Sequence, residues 1–311
     1  MTNFTSAWAP ASLSNLGPGF DALGVALTKW GDTVSITLLE GSEIRVSFAR
    51  GSKWTGPTDA KRNTASVAAI EVAKMVGYHG GISIEIDKGF RAGSGIGSSA
   101  ASAVAAAVAM NGATGGTLSK EDLIPAVMKG EAIVSHSIHG DNVLPSLLGG
   151  FILLQSSSPE GFMRIEGASD ICFAVLLPEL EVLTINAREH LPDSIPLTRA
   201  VDHAARLGLL INSINTNDTA AIGALIMSDD LIEPTRSQLL PPYQRIKEAA
   251  LAAGAAGCAL SGSGPAMYAV CGSSSDASRV AEAMATACRD AGYECASITD
   301  SVNLTGATLT K

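Results

Sequence analysis

The chain has 311 residues, 46% of them apolar and 16% charged, which is enough to bury one large core or two ordinary ones without metal or disulfide staples. A formal charge of −9 and an aromatic content of 5% supply neither a basic footprint for a phosphate backbone nor a platform for stacked bases, so no nucleic-acid partner is expected. Cys172, Cys258, Cys271, Cys288 and Cys295 are odd in number, form no CxxC and follow a start without a signal-peptide pattern, so they read as reduced thiols of a cytoplasmic protein. The longest apolar stretch, around Leu144 to Leu154, is broken by Pro145, Ser146 and a glycine pair and is too short to span a bilayer, so no membrane association is expected either.

In chain order, Ala9 to Leu27 is rich in turn formers, and Thr33 to Leu39 alternates as a strand does. Asn63 to Val76 has a helical pattern, and Ile82 to Ile86 is a second strand. A glycine-rich turn then leads into an alanine-dense run, Ser98 to Met110, which alanine's propensity makes helical. Glu131 lies in a further helical stretch. Gln155 to Gly161 reads as a surface loop where composition shifts, which suggests domains over 1–158 and 159–311. The second half predicts a strand at Ile171 to Leu177, helices at Thr198 to Ile214 and Pro242 to Ala253, and a strand at Ala266 to Val270. A helix from Asp276 to Ala291 and a strand at Cys295 to Ile298 close the chain. This mixed order predicts an α+β protein rather than a doubly wound parallel sheet.

Three segments carry chemistry. In Gly93-Ser94-Gly95-Ile96-Gly97-Ser98-Ser99-Ala100, glycines turn backbone N–H groups inward and the following helix adds its free amides and positive dipole end, together a phosphate cradle. One of Ser98 and Ser99 can cap the helix while the other reaches a divalent cation. Alone, the segment can also be read as a plain N-cap after a flexible turn. It lacks the lysine of a Walker A loop and the GxGxxG of a dinucleotide fold. The run Ala9 to Leu27 carries Asn15 and Asp21 and alone would be a solvated hairpin loop. In Ala259 to Val270 a strand breaks at Ser261 to Pro265 and resumes, which alone is a strand-to-strand turn.

Together the three resemble the motifs of the GHMP kinases, in family order and over essentially the whole chain. Gly93 to Ala100 is similar to the family's GLGSSA segment, and Pro10-Ala-Ser-x-x-Asn15-Leu-Gly-Pro-Gly-Phe-Asp21 to the N-terminal signature of the homoserine kinases. The resemblance implies the GHMP kinase fold, an N-terminal domain like domain 2 of ribosomal protein S5 followed by a ferredoxin-like domain, with a homodimer as the expected assembly. ATP is the implied co-substrate and Mg²⁺ the implied metal. Gly93, Ser94, Gly95, Ile96, Gly97, Ser98 and Ser99 would hold the nucleotide's phosphates, with Asn63 near the adenine. Ser98 and Glu131 would hold the metal, since hard oxygen ligands suit it. Asn15 and Asp21 would face the acceptor, Asp21 toward an ammonium, while Gly262 and Gly264 would let the third loop close over the site.

The acceptor rests on other residues. His139-Gly-Asp141-Asn142-Val-Leu-Pro145 resembles the homoserine-kinase form of its region, which directs Asp141 and Asn142 to the acceptor's polar groups. His136 and His139 have no third ligand and read as structural. A carboxylate calls for arginine's planar fork. Arg188, in a stretch like T-x-x-A-R-x-x-L-P, and Arg236, in one like E-P-x-R, are the candidates. The implied activity is phosphorylation of the hydroxyl of L-homoserine, an amino-acid substrate.

Phosphoryl transfer is served by alignment and charge neutralisation. Asn15, Asn142 and Ser98 are the catalytic candidates, and no residue is nominated as base. Two departures stand out: Lys88-Gly-Phe-Arg-Ala92 where many relatives have a proline, and Ile96 where they have leucine. A GHMP kinase for mevalonate or a sugar, and a binding-only relative, remain the alternatives.

Overall fold

The protein is described here from a computed structural model, over residues 4–135, 140–155, 158–180, 191–192 and 194–310. Two sheets organise the described residues. The first has seven strands: β1 (Phe4–Ser14), β2 (Leu23–Leu39), β3 (Ile44–Phe48), β4 (Gly81–Asp87), β5 (Phe151–Gln155), β6 (Ser158–Ile165) and, from near the C-terminus, β11 (Thr308–Leu309). Its main path runs β11-β1-β2-β4-β3, with β5 pairing β2 and β6 beside β5. Of these pairs β3 with β4 is parallel, joined through helix α1 (Thr64–Met75). The long β2 alternates buried and partly exposed positions through Asp32 to Ile36, with Val34 and Ile36 on the core face.

Helix α2 (Ser98–Ala113) lies against this sheet and is buried on nearly every side, from Ala100 to Asn111 without interruption. A helix apolar all round has to be interior, and its alanines allow β1, β2, α1 and helix α3 (Ile124–Ser135) to approach closely. Substituting a larger side chain on this face would overpack it at a cost of about 1–3 kcal/mol. Helix α4 (Gly140–Leu148) crosses the same core, with Val143, Leu144 and Leu147 buried.

The second sheet is antiparallel and contains β7 (Cys172–Pro178), β8 (Gly257–Leu260), β9 (Met267–Cys271) and β10 (Cys295–Ser301), in the order β10-β7-β9-β8. Between β7 and β8 come α5 (Leu197–Asn215), α6 (Thr219–Ile226), the single turn α7 (Glu233–Arg236) and α8 (Tyr243–Ala252), and α9 (Ser274–Asp290) joins β9 to β10. Numbered within the unit, the strands run 4-1-3-2 with helices in the first and third connections, the ferredoxin-like arrangement. Leu13, Leu23 and Val25 of the first sheet share one core with Phe173, Val175, Tyr268 and Val270 of the second, where Phe173 and Tyr268 meet edge to face at 6.3 Å.

Several local expectations change. The ends of the turn-rich run are strand, since Ala9 to Ser14 belong to β1 and Leu23 to Leu27 to β2. The surface loop expected at Gln155 to Gly161 is shortened by pairing, because β6 begins at Ser158 and folds back on β5. β3, α4, β5, α6, α7 and β11 were not predicted. No described helix is long and apolar enough to cross a membrane.

Candidate active site

A cleft of about 290 Å³ opens where the β1–β2 loop, the β4–α2 turn, the start of α4, α7 and the β8–β9 turn converge. One end is backbone. Gly93, Gly95 and Gly97 all have positive φ, and Gly97 stands as the left-handed N-cap of α2 with no side-chain cap bond. The helix entrance therefore leaves its first amides to the cleft. Neither serine caps the helix, contrary to expectation: Ser99 Oγ donates to Glu131 Oε1 at 2.9 Å, while the buried Ser98 Oγ has no hydrogen-bond partner among the described residues. The nearby Ser94 Oγ is in the same condition.

The other end is made of side chains drawn from distant parts of the chain. Asn15 and Asp21 both adopt left-handed backbone, which these two residue types tolerate best after glycine. Asn15 Oδ1 accepts from the Asp21 N–H at 2.8 Å, and Asn15 Nδ2 donates to the Gly262 carbonyl at 3.0 Å. Arg236 Nη1 donates to that same carbonyl at 2.8 Å, and its guanidinium sits 4.7 Å from the centre of the Phe20 ring. Asn142 is fixed at both ends of its amide, with Ser12 Oγ donating to Oδ1 and Nδ2 donating to Ser14 Oγ, each at 2.9 Å. Gly24 explains how α4 can deliver Asp141 here. A Cβ on Gly24 would fall 1.8 Å from the Asp141 carbonyl oxygen, so only glycine lets β2 and α4 touch.

The electrostatics of the cleft are those of a site built for cations as well as anions. Burial pushes the Glu131 carboxyl up to about 8, with the charge of Asp141 adding to the effect and the Ser99 hydroxyl and Lys88 opposing it. Burial also raises Asp141 to about 7, helped by Asp21 and opposed by Ser14 and Arg236. Asp141 Oδ1 is buried without a hydrogen-bond partner among the described residues. Beneath the first turn of α2, Lys88 Nζ contacts Asp32 Oδ2 at 2.6 Å, the Ser98 carbonyl at 3.0 Å and Ser102 Oγ at 2.9 Å. A glycine-rich helix entrance, an orphaned hydroxyl and a buried carboxylate lining the same cleft, and an arginine that opposes the shift of Asp141 are groups of the kinds that can hold a polyphosphate, a hard divalent cation and a zwitterion.

Comparison with known proteins identifies the family. The family model for the GHMP kinases N terminal domain matches residues 63–150, and that for the GHMP kinases C terminal matches residues 210–290. The homoserine kinase of Arabidopsis thaliana is 37% identical over 292 residues, which cover 92% of this chain and 79% of that protein. The chain belongs to the homoserine kinase family of GHMP kinases. The crystal structure of homoserine kinase from Cytophaga hutchinsonii superposes with a TM-score of 0.94 at 36% identity, covering 99% of this chain and 98% of that one. A mevalonate kinase structure from L. major, at 17% identity and a TM-score of 0.71 over 97% of this chain and 95% of that one, shares the fold.

Of the site residues expected for a homoserine kinase, Asn15, Asp21, Asn63, Gly93, Ser94, Gly95, Gly97, Ser98, Ser99, Glu131, Asp141, Asn142, Arg236 and Gly262 line the one cleft. Ile96 does not line it; its side chain is fully buried in the core, and its carbonyl accepts from the Ser12 N–H at 3.2 Å. Gly264 lies one step behind, its carbonyl packed under Gly95. Arg188 falls outside the described residues, as do His136 and His139. Asn63 caps α1 by accepting from the Ser66 N–H at 3.1 Å and donates to the Pro57 carbonyl at 2.8 Å. Sequence reasoning missed Lys88 as a site residue, the Ser12 and Ser14 clamp on Asn142, and Phe20. A lysine directly after the alternating strand Ile82 to Ile86 was the available signal for the first.

Proposed function

We propose that the chain catalyses ATP-dependent phosphorylation of the hydroxyl of L-homoserine to O-phospho-L-homoserine, a step of threonine biosynthesis. The observation that carries the reading is the meeting, in one cleft, of an amide cradle at Gly93 to Ser99 with Arg236, Asp21 and Asp141. A triphosphate at the cradle leaves its γ-phosphoryl pointing toward the acceptor end, where Arg236 takes the amino acid's carboxylate and the two aspartates its ammonium. Asn15 acts by tying Asp21 to Gly262, and Asn142, immobilised by Ser12 and Ser14, orients the hydroxyl. The hydroxyl oxygen bonds to the γ-phosphorus as the bond to the β-phosphate oxygen breaks, ADP leaves, and the hydroxyl proton passes to solvent water with no strong base required. Asn63 shapes the nucleotide end through its cap and its hold on Pro57.

Ser98 and Glu131 fit a Mg²⁺ ion, since one is a buried hydroxyl without a partner and the other a buried carboxylate beside the cradle. When bound, such an ion supplies neutralisation of phosphate charge. The exposed Leu197, Val201 and Leu209 of α5 support a homodimer, which light scattering of the purified chain tests. For the activity itself, ADP release is measured with homoserine, mevalonate, galactose and serine in turn. Homoserine is expected to dominate, and turnover no faster than with the other three defeats the assignment.

A further inference from the structure

Away from the cleft, three ionisable side chains meet in a cluster of their own. Glu233 Oε1 accepts from Tyr243 Oη and from Lys247 Nζ, the latter at 3.2 Å, and Lys247 Nζ reaches Tyr243 Oη at 2.8 Å. The Glu233 side chain is 10% exposed and that of Lys247 is 19% exposed. Tyr243 packs into the core of the second sheet with Ile246 and Leu240. Nothing in the phosphoryl transfer uses these groups, and burying them is costly unless something is gained.

Their place in the chain says what that is. Glu233 opens the single turn α7 that ends in Arg236, while Tyr243 and Lys247 lie one turn apart on α8. A four-residue helix cannot hold itself in place. Its N-terminal side is fixed by Asp229, whose Oδ1 accepts from the Leu231 and Ile232 N–H groups and whose Oδ2 accepts from the Glu233 N–H, at 2.9–3.0 Å. The Glu233 carboxylate then ties the turn to α8, and Arg236 extends from the opposite end to Gly262 and Phe20.

We infer that Glu233, Tyr243 and Lys247 are positioning residues for Arg236, holding α7 so that the guanidinium meets the carboxylate of the acceptor already aligned; the inference rests on the proposed homoserine kinase activity. Pre-alignment raises affinity by removing an ordering cost at binding. The effect is therefore confined to substrates that carry a carboxylate.

The test compares L-homoserine with 3-aminopropan-1-ol, which keeps the hydroxyl and amine and lacks the carboxylate. Wild-type protein is expected to prefer homoserine strongly. Tyr243→Phe and Glu233→Gln should raise KM for homoserine about fivefold, the worth of one hydrogen bond, with kcat and KM for ATP within about twofold. Turnover of 3-aminopropan-1-ol should be unchanged. Lys247→Met, which leaves the aromatic core intact, carries the same test should Tyr243→Phe melt early. Variants that lose the two acceptors equally, or whose KM for ATP rises in step, overturn the positioning role. A wild-type protein that phosphorylates both acceptors alike overturns the acceptor reading beneath it.

Discussion

The two ends of the cleft are built by opposite means. The proposed phosphate end is lined by one short run, Gly93 to Ser99, that offers mainly its backbone, while at the proposed acceptor end Asn15 and Gly262 touch across 247 positions of sequence. A backbone site tolerates changes of side chain except where a missing Cβ is itself the requirement. A side-chain site fails residue by residue and leaves the fold standing. Substitutions at the two ends should therefore differ in which substrate they affect and in whether stability goes with activity.

The largest effect is expected at Gly97. It combines φ of +71° with a Cβ position 2.5 Å from Ser12 Oγ and 2.9 Å from Asn142 Oδ1. Gly97→Ala should displace the helix entrance and the Asn142 clamp together. A loss on the order of 10³ in kcat/KM is expected for both substrates, with a lower Tm. Ile96→Leu keeps the amide and conserves volume in the core, so its activity should stay within about threefold. Steady-state kinetics of the pair decide the matter: equal losses in both variants would mean that the cradle does not work through its backbone.

Arg236→Ala should act on one substrate alone. Losing a forked, charge-assisted pair costs about 3 kcal/mol, or roughly a hundredfold in KM for homoserine, with KM for ATP nearly constant. Arg236→Lys should recover little of this, since an ammonium cannot reproduce the planar fork or its stacking on Phe20. A parallel rise in both KM values would remove Arg236 from the carboxylate.

Asp141 gives the comparison a pH axis. Its carboxyl is raised to about 7 in the folded protein, so the native state holds the proton more tightly than the unfolded chain, where the value is about 3.9. Its contribution to stability is thus present below the unfolded value and is lost as pH rises to about 7. Asp141→Asn has no such loss. The ligand-free variant should gain on the parent across that window, reaching on the order of 2 kcal/mol at pH 8, as thermal melts at several pH values would record. Binding of an ammonium needs the ionised form, so wild-type KM for homoserine should climb below pH 7, up to about tenfold per unit. In Asp141→Asn it should be high and flat. A variant less stable than the parent at pH 8 would mean that the buried charge is well compensated.

The same contrast explains what the sequence made legible. The cradle is contiguous, so its glycines and the alanine helix behind it could be read directly from order and propensity. The Thr33 to Leu39 and Ile82 to Ile86 strands likewise follow from local alternation. The ends of the Ala9 to Leu27 run were hidden because proline, serine and glycine favour turns, whereas pairing between β1 and β2 overrides that preference. Asp21 and Arg236, which line the cleft, were nominated through motif resemblance and not through any local rule. The ion pair of Lys88 with Asp32 spans 56 positions, and the stacking of Phe20 on Arg236 spans far more, so neither leaves a periodic trace. The Glu233 network is invisible for the same reason, since only packing of α7 on α8 brings it together.

Asn63 offers the smallest effect and the finest test of the boundary between the two kinds of site. Its Oδ1 caps α1 and its Nδ2 holds the Pro57 carbonyl, while the residue itself lines the cleft at its proposed nucleotide end. Asn63→Ala loses both bonds and should cost about 1 kcal/mol of stability, the usual worth of an N-cap. Asn63→Asp keeps an acceptor for the Ser66 N–H and loses only the donor to Pro57, so its Tm should remain near that of the parent. If the hold on Pro57 shapes the slot for the base, both variants should raise KM for ATP by about two- to threefold, the worth of one modest hydrogen bond, and leave KM for homoserine alone. A KM for ATP that is unchanged in Asn63→Asp would make the residue a cap and nothing more, and the nucleotide end would then rest on backbone alone.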